Sequence, residues 1–220
     1  MTNEKNGRLT LYSYWRSSAA YRVRIALHLK GLDFETIPVH LLRNGGEQLS
    51  ESYLALNPQG RVPVLIHGER VLTQSMAICE YLDEVFRDYP LLPGDPFERA
   101  LIRSLAQHIA CEIHPLNNLR VQNYLKTQLA DAVDMTAWMR HWMHEGFTAT
   151  EKQLDDSRSV RDDGHPGLFE CFLVPQAYNA ERYGMDLSAY PAIREIVGRC
   201  RQHEAFIRAA PENQPDAEPV

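Results

Sequence analysis

Three short segments of the 220-residue chain carry residue types suited to holding an anion or an extended peptide. The first, Arg16-Ser17-Ser18-Ala19-Ala20-Tyr21-Arg22-Val23-Arg24-Ile25-Ala26-Leu27, puts two hydroxyls where an apolar strand gives way to a helical pattern. A helix start exposes unpaired backbone N–H groups and a partial positive charge, so it stabilises an anion, and Ser17 and Ser18 add donors there. Read on its own, one of these serines serves equally as a plain N-cap. The second segment is Asn57-Pro58-Gln59-Gly60-Arg61-Val62-Pro63-Val64-Leu65. A cis Val62-Pro63 bond would offer the backbone N–H and C=O of Val62 to an extended ligand, whereas a trans bond, much the commoner state, leaves an ordinary loop. The third is Gln74-Ser75 at the start of another helical pattern, suited to a carboxylate and, in isolation, simply a cap.

Other reactive side chains fall outside these segments. Arg22 and Arg24 lie inside a helical pattern, where long basic side chains serve structure by pairing with nearby carboxylates. His141 and His144 are three apart on a helical pattern, but no third ligand stands at a sensible spacing, so no metal is assigned. Cys79, Cys111, Cys171 and Cys200 form no Cys-x-x-Cys pair and read as buried or half-buried side chains in a reducing compartment.

The elements that must carry the three segments follow from periodicity. Leu9–Tyr14 reads as a strand, Ala19–Lys30 as a helix stopped by Gly31, Phe34–Leu41 as a second strand, Glu47–Leu56 as a short helix after Gly45-Gly46, Val62–Ile66 and Val71-Leu72 as a hairpin, and Ser75–Phe86 as a helix. That β-α-β-α-β-β-α order is the order of a thioredoxin-like domain, expected over 8–87. Pro90, Pro93, Gly94 and Pro96 mark a linker over 88–97. Beyond it only helical patterns occur: Arg99–Ile113, Gln122–Val133 and on to Phe147, Gly167–Tyr183 and Pro191–Ala209, giving an all-helical domain over 98–210. The polar, proline-rich 211–220 reads as a flexible tail. A net charge of -6 gives no global attraction to nucleic acid or anionic membrane. The polar stretch from Met1 to Arg8 lacks the apolar core of a signal peptide, and no run of about 18 apolar residues occurs, so the expected compartment is the cytoplasm.

The three segments, in this order and spacing, resemble zeta-class glutathione transferases, the family of the maleylacetoacetate and maleylpyruvate isomerases, with their Ser-Ser-x-x-x-Arg-Val-Arg-Ile-Ala-Leu, Asn-Pro-x-x-x-Val-Pro and Gln-Ser-x-Ala-Ile patterns. Ile113-His114-Pro115-Leu116-Asn117-Asn118, Leu173-Val174-Pro175-Gln176, Asn179-Ala180-Glu181-Arg182-Tyr183 and the tail from Ala210 to Asp216 also look like family segments, so the likeness spans essentially the whole chain. The resemblance implies a thioredoxin-like N-terminal domain followed by an all-α domain, a homodimer, and glutathione as cofactor. It implies that Ser17, with Ser18 and Arg16 beside it, serves catalysis by holding the glutathione thiolate. Val62 with Pro63 would meet the cysteinyl backbone, Gln74 and Ser75 the γ-glutamyl end, and Gln48 a further part of glutathione. Arg16, His114, Asn118 and Arg182 are similar to residues of the acidic-substrate pocket. The activity implied is thiolate addition to a cis-enone, rotation and elimination. Two alternatives stand beside it: conjugation or dehalogenation of small electrophilic acids, and a non-catalytic interaction protein of the same fold. The chain departs from the family in having Ala19-Ala20 where many members carry a cysteine and then a hydroxyl residue. It departs again at His165-Pro166-Gly167-Leu168-Phe169-Glu170, which lacks a hydroxyl helix cap and so predicts a weaker helix start.

Overall fold

A computed structural model describes residues 7–129, 132–156 and 164–219. Residues 1–6, most of the polar N-terminus, lie outside this description, as do 130–131 within the helix expected to reach Val133 and 157–163 ahead of the His165–Glu170 loop. The chain divides into two units, one formed by Met1–Leu91 with Gln202–Val220 and the other by Leu92–Arg201.

In the first unit the strands are β1 (Leu9–Ser13), β2 (Glu35–Pro38), β3 (Val64–His67) and β4 (Arg70–Thr73), and the helices are α1 (Ser18–Leu29), α2 (Glu51–Leu56) and α3 (Ser75–Val85). The sheet order is β2-β1-β3-β4, with β1 parallel to β2 and antiparallel to β3. This is the thioredoxin-like arrangement: a βαβ crossover through α1, then a β-hairpin and α3. Leu11, Val64 and Leu65 of the sheet are buried with Val23, Ile25, Leu27, Ile78 and Leu82 of the helices. The C-terminal end of α1 is tied down by Lys30, whose ammonium group donates to Asp83 Oδ1 at 2.9 Å and to the carbonyls of Phe86 and Tyr89 at 2.8 and 2.6 Å.

The second unit holds α4 (Pro96–Gln107), α5 (Leu119–Leu129), α6 (Met135–Asp156), α7 (Leu168–Arg182) and α8 (Pro191–Cys200). Asp95 starts α4 with a reciprocal capping box, accepting from the Glu98 amide while Glu98 accepts from its own. After α4 the backbone widens to a π-helical turn over His108–Ile113 and tightens to a 3-10 turn over His114–Asn117. Ile113 is buried against Gly146 of α6, where a Cβ would collide with its side chain. The weak start expected for α7 is offset: Glu170 Oε2 accepts from the Gly167 amide at 2.8 Å, half a capping box made without a hydroxyl.

Two boundaries differ from those expected. The helical patterning that ran from Pro191 to Ala209 breaks after Cys200, and α9 (Glu204–Ala209) packs against α1 in the first unit. The segment expected to be a flexible tail instead forms a 3-10 turn at Pro211–Asn213 and continues along the first unit. Composition reads such a segment as unable to fold by itself, and by itself it buries little. Its order comes from the surface it lies on.

Candidate active site

The strand register gathers the sequence-selected residues of the first unit at one end of the sheet. Ser13 at the end of β1 pairs with Pro38 at the end of β2, Tyr12 pairs with Val64 at the start of β3, and Val64 pairs with Thr73 at the end of β4. Four segments therefore leave the same sheet end: Tyr14–Ser17 into α1, Val39–Ser50 carrying Gln48, the approach to β3 carrying Val62-Pro63, and Gln74 into α3.

Ser17 is the N-cap of α1, and its Oγ accepts from the Ala20 amide at 3.3 Å. The capping and chemical readings of this serine are thus compatible. Capping uses an oxygen lone pair, and the hydroxyl hydrogen stays available to donate to an anion. Ser18 is the first helical residue, where its amide is one of the unpaired donors of the helix start. Arg16 is half-buried, with its guanidinium 5.2 Å from the Trp15 ring centroid. Tyr14, Trp15, Val39, Tyr53, Val62 and Val64 form one buried cluster beneath this end of the sheet.

The Val62-Pro63 bond is cis. The backbone leading into it is held by two donors on one acceptor: Tyr53 Oη and Asn57 Nδ2 reach the Arg61 carbonyl at 2.7 and 2.8 Å. Burial, together with neighbouring Tyr12, pushes the Tyr53 hydroxyl above the ordinary tyrosine range, so it stays protonated and donates. At the start of α3, Gln74 adopts φ 70°, a backbone conformation uncommon for a non-glycine residue. Its amide donates to Gln59 Oε1 at 2.6 Å, joining the α3 start to the loop before Val62. Ser75 is buried and accepts from Arg22 Nη1 at 3.2 Å. Gln48 is half-buried with its amide 3.5 Å from the Leu41 carbonyl.

Arg22 and Arg24, expected to serve structure, are both buried, and their contacts include hydroxyl and carbonyl oxygens. Arg24 donates to Ser13 Oγ at 3.1 Å and to the carbonyls of Tyr14, Trp15 and Ala209 at 3.4, 2.9 and 3.0 Å. Both arginines thereby shape the turn that presents Ser17 and the helix start at Ser75. Sequence reading left Asn57 and Tyr53 without a role. The one available signal was an asparagine opening the turn before an X-Pro bond.

His114, Asn118 and Arg182 belong to the second unit. His114 opens the 3-10 turn and is half-buried, and Asn118 Oδ1 accepts from the Arg120 amide at the start of α5. Arg182 ends α7 and donates to Asn179 Oδ1 at 3.3 Å. Gln176 donates to Asn117 Oδ1 at 3.3 Å, and Tyr183 Oη to Gln122 Oε1 at 3.3 Å, so the segment from His114 to α5 is bound to α7, which carries Arg182.

Ala19 leaves no thiol at the α1 start, and the chain's own cysteines lie elsewhere. Burial pushes the Cys79 and Cys200 thiols up to about 12, and Cys111, expected to be at least half-buried, is exposed. Alkylation at about pH 8 is therefore expected to label Cys111, spare Cys79 and Cys200 and leave turnover unchanged, as read by intact-mass and peptide analysis.

Residues 7–84 match the model of the glutathione S-transferase N-terminal domain. Over 211 residues the chain is 49% identical to the probable maleylacetoacetate isomerase of Vibrio cholerae, covering 95% of this chain and 98% of that protein. The holo structure of maleyl pyruvate isomerase, a bacterial zeta-class glutathione S-transferase, superposes with TM-score 0.89 at 40% identity, covering 95% of this chain and all of that one. Maleylacetoacetate isomerase from Anaeromyxobacter dehalogenans with glutathione bound in its active site superposes with TM-score 0.84 at 40% identity, covering 96% and 98%. With near-complete coverage on both sides and identity well above what a shared fold requires, the chain belongs to the zeta-class glutathione transferases, the family of the maleylacetoacetate and maleylpyruvate isomerases.

Proposed function

We propose that the chain is a glutathione-dependent cis-trans isomerase of an acidic cis-enone such as maleylacetoacetate. The observation that carries the proposal is the shared sheet end, where two helix N-termini, those of α1 and α3, flank the cis turn at Val62. That arrangement fits glutathione. Its thiolate meets the α1 start and the Ser17 hydroxyl, its cysteinyl backbone meets Val62 beside Pro63, and its γ-glutamyl carboxylate meets the α3 start with Gln74 and Ser75, while Gln48 borders the glycyl side. When bound, glutathione supplies a sulfur that adds to the conjugated double bond and leaves again once the bond has rotated. Ser17 donates its hydroxyl hydrogen to that sulfur while still capping α1, and Ser18 contributes its amide. Arg16 offers a cation to the substrate carboxylate and to the negative charge that builds up in the transition state. His114, Asn118 and Arg182 are proposed, from family resemblance, as residues that recognise the acidic substrate. No metal takes part in this reading, and among the described residues no cluster of ligands suited to one occurs.

The proposal includes a homodimer working in the cytoplasm, which family membership supports. No helix of the described residues is long and apolar enough to cross a membrane. The net charge of -6 gives no global attraction to nucleic acid, and the small acid proposed as substrate relies on local cations such as Arg16.

Assaying maleylacetoacetate, maleylpyruvate and dichloroacetate side by side with glutathione tests the reading. Isomerisation of a cis-enone acid is expected to be the fastest reaction. Faster dehalogenation would make the chain a zeta-type transferase of halogenated acids, and turnover of none with failure to bind glutathione would make it an interaction protein. Arg16→Met sharpens the test. It is expected to lower kcat/KM about ten- to a hundred-fold for the dicarboxylic enone, the value of one charge-assisted contact, with little effect on conjugation of a neutral electrophile. Equal losses on both substrates would assign Arg16 to the glutathione site or the fold.

A further inference from the structure

The C-terminal segment makes three contacts with the walls of the candidate glutathione site. Asp216 Oδ2 accepts from the Trp15 amide at 3.0 Å, two residues before Ser17. Ala217 packs on the buried cluster that contains Trp15 and Val62. Glu218 pairs with Arg43 and lies 3.4 Å from His40 Nε2, both on the loop that carries Gln48. His40 Nδ1 accepts from the amides of Leu42 and Arg43 at 3.2 and 2.8 Å, so the ring proton sits on Nε2, facing Glu218. The segment is anchored to its own unit by Gln214, whose amide donates to the Arg208 and Ala210 carbonyls at 2.9 and 2.8 Å, and by Asn213, which donates to the Ile207 carbonyl at 2.7 Å.

The Trp15 contact sits at the most consequential point. Arg24 Nη2 donates to the Trp15 carbonyl at 2.9 Å, Asp216 accepts from the Trp15 amide, and the Ser17 amide closes a turn onto the Tyr14 carbonyl at 2.9 Å. Trp15 is thus held at both polar ends of its backbone, one by a cation and the other by an anion. The Trp15 side chain is buried, so its backbone has little freedom other than rotation of the peptide planes these two bonds oppose. Removing either bond loosens the turn that aims the Ser17 hydroxyl. A donor displaced by about 1 Å loses much of its effect on a developing charge.

We infer that Asp216 is a positioning residue for thiolate activation: through the Trp15 amide it fixes the turn from which Ser17 donates to the glutathione sulfur. The inference rests on the assignment of Ser17 as that donor. The C-terminal segment is then part of the active-site support, acting from the far end of the chain.

The test follows the ionisation of bound glutathione by thiolate absorbance against pH, with steady-state kinetics, in the parent, Asp216→Ala, Asp216→Asn and Ser17→Ala. Asp216→Ala is expected to lower kcat about three- to ten-fold and to move the ionisation midpoint of the bound thiol upward by about half a unit to one unit, with KM for the enone acid unchanged. Asp216→Asn, which keeps an acceptor oxygen without the charge, is expected to fall between parent and alanine variant. It decides the matter if the alanine variant does not fold. Asp216 variants that lower only the melting temperature, with the thiol midpoint and kcat of the parent, would overturn the inference while a shifted midpoint in Ser17→Ala left the Ser17 assignment standing. A midpoint unmoved in Ser17→Ala would remove the assignment itself and the inference with it.

Discussion

Replacing Ser17 with alanine is expected to lower kcat about ten- to a hundred-fold at saturating glutathione, with the fold retained. A free thiol with a pKa of about 8.5 is only a few per cent thiolate at pH 7, and lowering that value by two units requires about 2.7 kcal/mol. A hydrogen bond from Ser17 to the charged sulfur supplies about 1.5–3 kcal/mol, and the α1 N-terminus about 0.3–2 kcal/mol. Together they cover the requirement without a base, and the alanine variant keeps only the smaller contribution. The same substitution removes an N-cap, since Ser17 Oγ accepts from the Ala20 amide, and the cost of that loss is about 1 kcal/mol of stability. Pre-steady-state measurement of thiolate formation separates the two effects, and Ser17→Gly preserves most of the cap while still lacking the hydroxyl. Turnover equal to the parent's in the alanine variant would show that Ser17 is not the activator. The Ser18→Ala change is expected to matter less, because Ser18 contributes through its amide, which alanine retains.

A second large effect is expected from Arg24→Ala, this time on stability. Arg24 is 0% exposed, and its guanidinium serves Ser13 Oγ and the carbonyls of Tyr14, Trp15 and Ala209. Alanine would take this donor from the Trp15 and Ala209 carbonyls, the Tyr14 carbonyl keeping the Ser17 amide, and would leave a cavity where the side chain lay, at an expected cost of about 3–4 kcal/mol. Denaturant unfolding of parent and variant reads this directly. Arg24→Lys is expected to recover only part, because a single ammonium group cannot reproduce a fork that reaches four acceptors. A loss below about 1 kcal/mol would mean that water or neighbouring groups satisfy those carbonyls once the guanidinium is gone.

Much of the first unit was legible because its signals are local. Strand alternation in Leu9–Ser13, the stop at Gly31 and the hydroxyls at Ser17 and Ser75 depend on neighbours a few residues away, and the structure places each element within a few residues of its expected bounds. The α7 start was legible only in part, because a missing hydroxyl was visible while the reach of Glu170 back to the Gly167 amide had not been considered. The division of the helical half was misjudged at Cys200, where the periodicity runs on from α8 into α9 although the two helices pack in different units.

By itself, the amino-acid sequence determined the element types, the order of the thioredoxin-like domain and the family, and it singled out the residues proposed to hold a thiolate and a carboxylate. Each of these is written in short-range patterning or in motifs of a few residues. Tertiary structure alone decided that four segments meet at one sheet end, that Arg24 serves carbonyls, and that the C-terminal segment is ordered against the Ser17 turn. The Asp216 to Trp15 bond joins residues 201 positions apart, and no periodicity or composition encodes a contact of that range. It forms because folding brings α9 against α1 and leaves the following residues beside a buried amide that needs an acceptor.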